Sequence, residues 1–276
     1  MLVKNPKYHK RLSNIQVQLL LALFKFRFVS TDLLAEVLKK DRSTIYEGLY
    51  NLEKQGLVHK FHDKTYRRRG RPAIYCLAAG GIKYLKQHSE LDQTTLKNFY
   101  KNKRIVTDEE ERVQEAAAYT TATASIVDKH LLVAQLFNRI LALTGDTFHI
   151  HTKYELNRES LPKPPPELFL QRANRKSSMP DYALDIFPAG TFGWLLRKRL
   201  QAHQEFAEDY QYRYPDVLLV AGNVSTEKRL FQQTYFAMQD FSFYVTRQGL
   251  LLCDNDGKIW IDVEESEEDE VVRVGL

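Results

Sequence analysis

Cysteine is scarce in this sequence. Cys76 and Cys253 stand alone, outside any CxxC pair or Cys/His cluster. That argues against a zinc site and fits a reducing, cytoplasmic environment. Each is expected to be a small buried hydrophobe. No apolar run approaches the length of a membrane span, and the opening MLVKNPKYHK has no signal-peptide core, so no membrane association is expected. Walker, G-x-S-x-G, G-x-G-x-x-G and HExxH patterns are all missing. No cofactor, resident metal or catalytic residue is therefore expected. The eight histidines are scattered. His149 and His151 share one face of a predicted strand without a third ligand, and His130 is expected to be bonded locally or exposed on a helix.

What is present is charge, and it is uneven. The 276 residues carry a net charge of +5. Residues 1–104 hold 22 Lys and Arg against 8 Asp and Glu, a net of +14; the remainder holds 18 and 27, a net of −9. A basic first part joined to an acidic second part is expected where only the first part meets phosphate. The length accommodates two domains, each with its own core.

The first predicted domain spans 1–88. Ser13 caps a helix with Ile15, Leu19, Leu20, Leu23 and Phe24 on its apolar stripe. A short second helix, capped by Thr31, carries Leu33, Leu34, Val37 and Leu38. In a third, capped by Asp41 or Ser43, Ile45, Leu49 and Leu52 face inward, and Gly56 supplies the left-handed residue that ends it. Arg42, Ser43, Thr44, Tyr46, Glu47 and Tyr50 are left facing out. Arg42 suits guanine or phosphate, Ser43 and Thr44 suit phosphates at the helix start, and the tyrosines suit phosphates or thymine methyls. Leu57 and Val58 begin a strand, and Ile74, Tyr75 and Leu77 form its return. Between them lie Lys64, Arg67, Arg68, Arg69 and Arg71, with Gly70 and Pro72. Helix, hairpin and cationic tip in that order predict a winged helix-turn-helix, its third helix in a major groove and its wing on the backbone or in the minor groove.

Residues 89–107 are predicted to be a linker, and 108–276 an α/β domain. A long Ala-rich helix begins at Thr107 or Asp108 and ends at Gly145, with a break near Thr120 to Ser125. TFHIHTKYELN reads as strand, LPKPPPELFL as a proline-rich connection, SSMPDYALDIF as strand and WLLRKRLQAHQEFAEDYQ as helix. DVLLVAG reads as a buried strand and STEKRLFQQTYFAMQ as another helix, followed by FYVTRQGLLLC. EESEEDE reads as a solvated acidic tail segment able to shield the wing when DNA is absent.

STIYEGLYNLEKQGLV followed by RGRPAIYCLAAGGIKYL resembles the winged-helix domains of MarR and PadR transcription regulators. It also resembles the N-terminal half of the replication-relaxation family of plasmid and mobile-element proteins. The carrying residues are Tyr75, Leu77, Gly80 and Tyr84, within residues 13–88. More loosely, the second part resembles that family's C-terminal half, through His130 and Leu131, Pro180-Asp181, a basic helix, and Pro215–Val220 followed by Glu227, Lys228 and Arg229. The resemblance implies a reduced PD-(D/E)xK nuclease-like fold, with an aspartate on one strand and a Glu-x-Lys on the next holding magnesium in active members. Asp181 could be the first carboxylate. The Glu-x-Lys is missing, and Asp185 is followed by no lysine at the right spacing.

The expectation is a double-stranded DNA-binding protein, working as a homodimer in plasmid or mobile-element replication, mobilisation or transcription control. A replication or mobilisation protein is the expected further partner. The second domain is expected to be non-catalytic. Two alternatives stand beside this: a metal-dependent nuclease targeted by the winged helix, and a repressor whose second domain binds a small effector, which a closed apolar pocket would favour.

Overall fold

The computed structural model describes residues 12–61, 72–88, 109–156, 161–174, 180–209, 214–235, 241–253, 258–267 and 270–275, with the backbone alone at 61, 88 and 109–126. It forms two compact units, Met1–Ala134 and Gln135–Leu276. The division falls inside one helix, α5 (Glu109–Thr144). The linker expected over 89–107 lies outside the described residues. No break interrupts α5 near Thr120 to Ser125; the helix runs unbroken through that stretch.

In the first unit, α1 (Asn14–Phe26) starts at Ser13 with a full capping box: the Ser13 hydroxyl accepts from the Gln16 amide, and the Gln16 side chain accepts from the Ser13 amide. Leu19, Leu20 and Leu23 are fully buried, each contributing about 1.5–3 kcal/mol of apolar transfer. β1 (Val29–Ser30) leads into α2 (Thr31–Leu38). Ser30, not Thr31, is the cap; its hydroxyl accepts from the Leu33 amide. Then come α3 (Arg42–Lys54), β2 (Val58–Phe61), β3 (Ile74–Leu77) and α4 (Ala79–His88). The sheet order is β1-β3-β2, all antiparallel, with Val29 opposite Tyr75 and Phe61 opposite Ile74. Three helices and this hairpin make a winged helix-turn-helix arrangement.

Two glycines fix the base of the hairpin. Gly56 follows α3 with φ +69°, a conformation that disfavours any side chain. Gly81 packs α4 onto the start of β2: a Cβ there would lie 2.1 Å from the Leu57 carbonyl oxygen. Phe28, Ile74 and Val127 form a buried cluster, and His130 packs edge-on to Phe28 with ring centroids 5.6 Å apart. Of the two expectations for His130, locally bonded or exposed, the exposed one gives way: the residue is buried.

The second unit holds a seven-stranded sheet in the order β10-β9-β8-β7-β6-β5-β4. Its strands are β4 (Phe148–Thr152), β5 (Leu168–Arg172), β6 (Tyr182–Phe187), β7 (Asp216–Ala221), β8 (Phe243–Arg247), β9 (Trp260–Asp262) and β10 (Arg273–Val274). Only β6, β7 and β8 are mutually parallel; both flanks are antiparallel. Every residue of β7 is buried, which is why DVLLVA reads as one apolar run. α6 (Gly193–Glu208) follows β6 and α7 (Val224–Tyr235) follows β7. Leu196 and Leu200 of α6, and Leu230 and Phe231 of α7, share one core cluster with Val217, Leu219 and Val245. α8 (Gln248–Cys253) follows β8.

Other expectations give way in this unit and at the cysteines. LPKPPPELFL ends in a strand, β5, paired on both sides. FYVTRQGLLLC, for which no element is expected, divides into β8 and α8. The acidic segment is the connection between β9 and β10 rather than a tail: the Glu267 and Glu270 backbones bond each other, and Ser266 is buried. Of the two cysteines expected to be small buried hydrophobes, Cys76 is half-buried and Cys253 is exposed.

Candidate nucleic-acid interface

α3 is amphipathic. Ile45, Leu49 and Leu52 have no exposure, while Tyr46 and Tyr50 are 53% and 45% exposed. The two tyrosine rings are one turn apart and stack, with centroids 6.5 Å apart and planes 11° apart. The Lys54 ammonium stands 4.2 Å from the centre of the Tyr50 ring. Arg42 and Glu47 are exposed as well. Arg42 is tied back to α2, its Nε 2.8 Å from an Asp32 carboxylate oxygen.

The start of α3 is closed by a side-chain cap. Asp41 is the cap, accepting from the Thr44 amide at 2.9 Å. The Ser43 hydroxyl also donates to Asp41, and the Thr44 hydroxyl does so at 2.5 Å. These bonds, Ser43's first, hold the Asp41 carboxyl well below the usual carboxylate range. Both hydroxyl protons are therefore engaged by the Asp41 carboxylate. The Asp41 cap is readable in the sequence; the place of Lys54 over the Tyr50 ring is not among the sequence expectations.

Tyr75, on the strand behind α3, is buried, and its hydroxyl is pushed up to about 12 by burial first, then by Glu53 and Tyr46. β2 and β3 pair up to Phe61 opposite Ile74, so residues 62–73 join them. Lys64, Arg67, Arg68, Arg69 and Arg71 lie outside the described residues.

The second unit contains a buried polar cluster that no local sequence signal marks. Asp185 on β6 accepts from Arg199 Nε at 2.5 Å and Nη2 at 2.6 Å. His203 Nε2 is 2.7 Å from the same carboxylate, and His203 Nδ1 is 2.7 Å from the Tyr214 hydroxyl. Asp181 is separate: it accepts from the Arg172 amide at 2.8 Å, with Arg172 Nε at 3.4 Å. Glu227 of α7 is buried beside Arg247 Nε at 2.9 Å and Arg273 Nη2 at 3.7 Å. Burial raises its carboxyl against the pull of the two arginines. Among the described residues no group of three or more His, Cys, Asp or Glu is placed to hold a metal ion. His149 and His151 lie on β4, opposite Gln171 and Phe169. A cavity of about 290 Å³ is lined by Leu161, Phe169, Gln171, Asp181, Phe206 and Tyr214 among others. No described helix is long and apolar enough to cross a membrane.

No family model matches the chain. No curated protein matches it either. Among solved structures it is similar to a MepR mutant from a multidrug resistant S. aureus clinical isolate, 21% identical over 42% of this chain and 80% of that one, with a TM-score of 0.27. It is similar to the transcriptional regulator SlyA, 17% identical over 44% and 80%, TM-score 0.27. It is also similar to an E. coli MarR mutant complexed with operator DNA, 20% identical over 40% and 76%, TM-score 0.27. Likeness of this degree carries nothing about function.

Proposed function

We propose that this chain binds double-stranded DNA. α3 lies in a major groove, and the segment joining β2 to β3 lies on the backbone or in the minor groove. The observation that carries this is the outward face of α3, with Arg42, Tyr46 and Tyr50 exposed, on the same unit as a hairpin whose connecting residues include Lys64, Arg67, Arg68, Arg69 and Arg71. Affinity comes from the arginines and selectivity from α3. The outcome is control of transcription, or of replication or mobilisation of plasmid or mobile-element DNA, as the replication-relaxation resemblance implies. A homodimer would present two such helices to paired half-sites.

The second unit is, in this reading, non-catalytic. Support comes from Asp185, whose two carboxylate oxygens are taken by Arg199 and His203, and from Asp181, which is bonded to Arg172. A second reading, an effector-responsive repressor, has only partial support: the cavity beside Phe169 and Phe206 is open to solvent and carries Gln171 and Asp181 in its lining, where a closed apolar pocket is expected.

The test is a titration of labelled duplex at two salt concentrations with magnesium present, the DNA being run out afterwards. Replacing Arg67, Arg68, Arg69 and Arg71 by alanine is expected to weaken binding to every sequence. The slope of log K against log salt should fall by about 0.9 for each phosphate that is no longer neutralised. Unchanged binding would remove the wing from the interface. Magnesium-dependent cutting that disappears in Asp181→Ala would replace the non-catalytic reading with a nuclease.

A further inference from the structure

We propose that the outer surface where α6 meets α7 is a binding platform for single-stranded DNA. The inference concerns the second unit alone and goes beyond duplex binding by α3 and the wing.

Large aromatic side chains are exposed there without a structural reason. Phe192 is 69% exposed, Trp194 58% and Leu195 43%, all at the start of α6. Between the two aromatics, Gly193 lies against α7: a Cβ built on it would be 3.7 Å from the Gln233 side-chain amide. Arg229 is one helical turn before Gln233 on α7 and is exposed, as is Lys228. On α6, Arg197 and Lys198 follow Trp194 by three and four residues and are exposed too. Four exposed cations thus lie on the two adjoining helices whose outer surface carries the two projecting rings.

Among the described residues those cations are uncompensated. None of Arg197, Lys198, Lys228 and Arg229 forms an ion pair among the described residues. From Ile186 to Gln204 the sequence contains no Asp or Glu. The one carboxylate of α7, Glu227, is buried and held by Arg247 and Arg273. The cationic surface stands out because residues 105–276 carry a net charge of −9. A polyanion is the ligand whose charge complements it.

The aromatics decide which polyanion. A duplex stacks its base faces on one another and presents phosphates and groove edges. A single strand exposes base faces, and these stack on projecting rings beside a cationic track. An acidic protein would satisfy the cations but has no general use for Phe192 and Trp194 held in water.

Full-length protein is titrated with unlabelled oligo-dT of about 20 nucleotides, longer than one small stacking site. Tryptophan emission is the readout. Trp260 has no exposure, so quenching reports Trp194. Quenching is expected, together with binding of a labelled oligo-dT by anisotropy. Phe192→Ala with Trp194→Ala should weaken that binding about tenfold or more, and Arg197→Gln with Lys198→Gln should make it less salt-sensitive. Duplex affinity should stay within about twofold in both, because the α3 and wing residues are untouched. The wing variant should lose duplex and keep oligo-dT, so that failure of either reading is seen separately. Equal oligo-dT affinity in wild type and both patch variants would overturn the proposal. So would displacement of oligo-dT by polyglutamate at equal charge concentration, which would assign the surface to an acidic protein. A shift from dimer to monomer by light scattering in the aromatic variant, with oligo-dT affinity intact, would assign it to a second copy of the chain.

Discussion

Asp185 receives the Arg199 guanidinium on both carboxylate oxygens, at 2.5 and 2.6 Å, inside the second unit. Arg199 and Asp185 are both almost wholly shielded from water. Removing one partner leaves the other charge buried. Arg199→Met is expected to cost about 3 kcal/mol or more, while Asp185→Leu combined with Arg199→Met should recover most of that loss. Urea unfolding of the two variants beside wild type reads the difference. A double variant as unstable as the single one would mean that the pair is valued for more than mutual compensation.

The same pair sets a dependence on pH. Burial by itself raises the Asp185 carboxyl; Arg199 and His203 outweigh it and hold the group well below the usual carboxylate range. A depressed folded value contributes stability that is fully present above the unfolded value, about 4, and is lost as pH falls through the folded value. The second unit should therefore weaken below about pH 4. Asp185→Asn, already lacking that charge, should lose less between pH 5 and pH 3 than wild type does. Parallel declines of the two urea midpoints over that interval would contradict the assignment.

Why some of this was legible and some was not follows from the range of each interaction. The Ser13 and Asp41 caps, the Ile45–Leu49–Leu52 stripe and Gly56 depend on neighbours within one or two turns, and the sequence displays them. β7 is legible because burial on both faces leaves six apolar or paired residues in a row. β1 is only two residues long, and its pairing with Ile74 and Tyr75 spans a long stretch of chain. β5 hides behind four prolines of the preceding connection, and β9 and β10 flank an acidic segment that reads as solvated. The Asp185 cluster is invisible for another reason. Arg199 and His203 are one turn apart on a helix that is otherwise basic outside, and only the packed sheet turns them inward.

Tyr46 and Tyr50 separate binding from folding. Both rings are largely in water and stack on each other, so alanine at either should change stability by no more than about 0.5 kcal/mol. Under the duplex-binding proposal each replacement should still weaken operator-type binding several-fold, and the effect should depend on DNA sequence more than the removal of a wing arginine does. Competition with random-sequence duplex measures that ratio. Equal weakening on specific and random DNA would move the tyrosines from selectivity to backbone binding.

Gly81 tests whether the base of the hairpin must stay closed. Alanine is the better helix former by about 1 kcal/mol, so propensity alone favours Gly81→Ala within α4. The new methyl would start 2.1 Å from the Leu57 carbonyl oxygen, which is backbone and already accepts from the Ala78 amide at 3.0 Å. α4 or the start of β2 must move, and overpacking of this kind costs about 1–3 kcal/mol. Gly249 of α8 is the control, since nothing lies within 4 Å of its added Cβ. Gly249→Ala should be neutral or slightly stabilising, and Gly81→Ala should lower the melting temperature. Because β2 carries one end of the cationic segment, Gly81→Ala should also weaken duplex binding at temperatures where the protein is still folded. A Gly81→Ala variant that melts and binds like wild type would show that α4 can slide away from Leu57 without disturbing the wing.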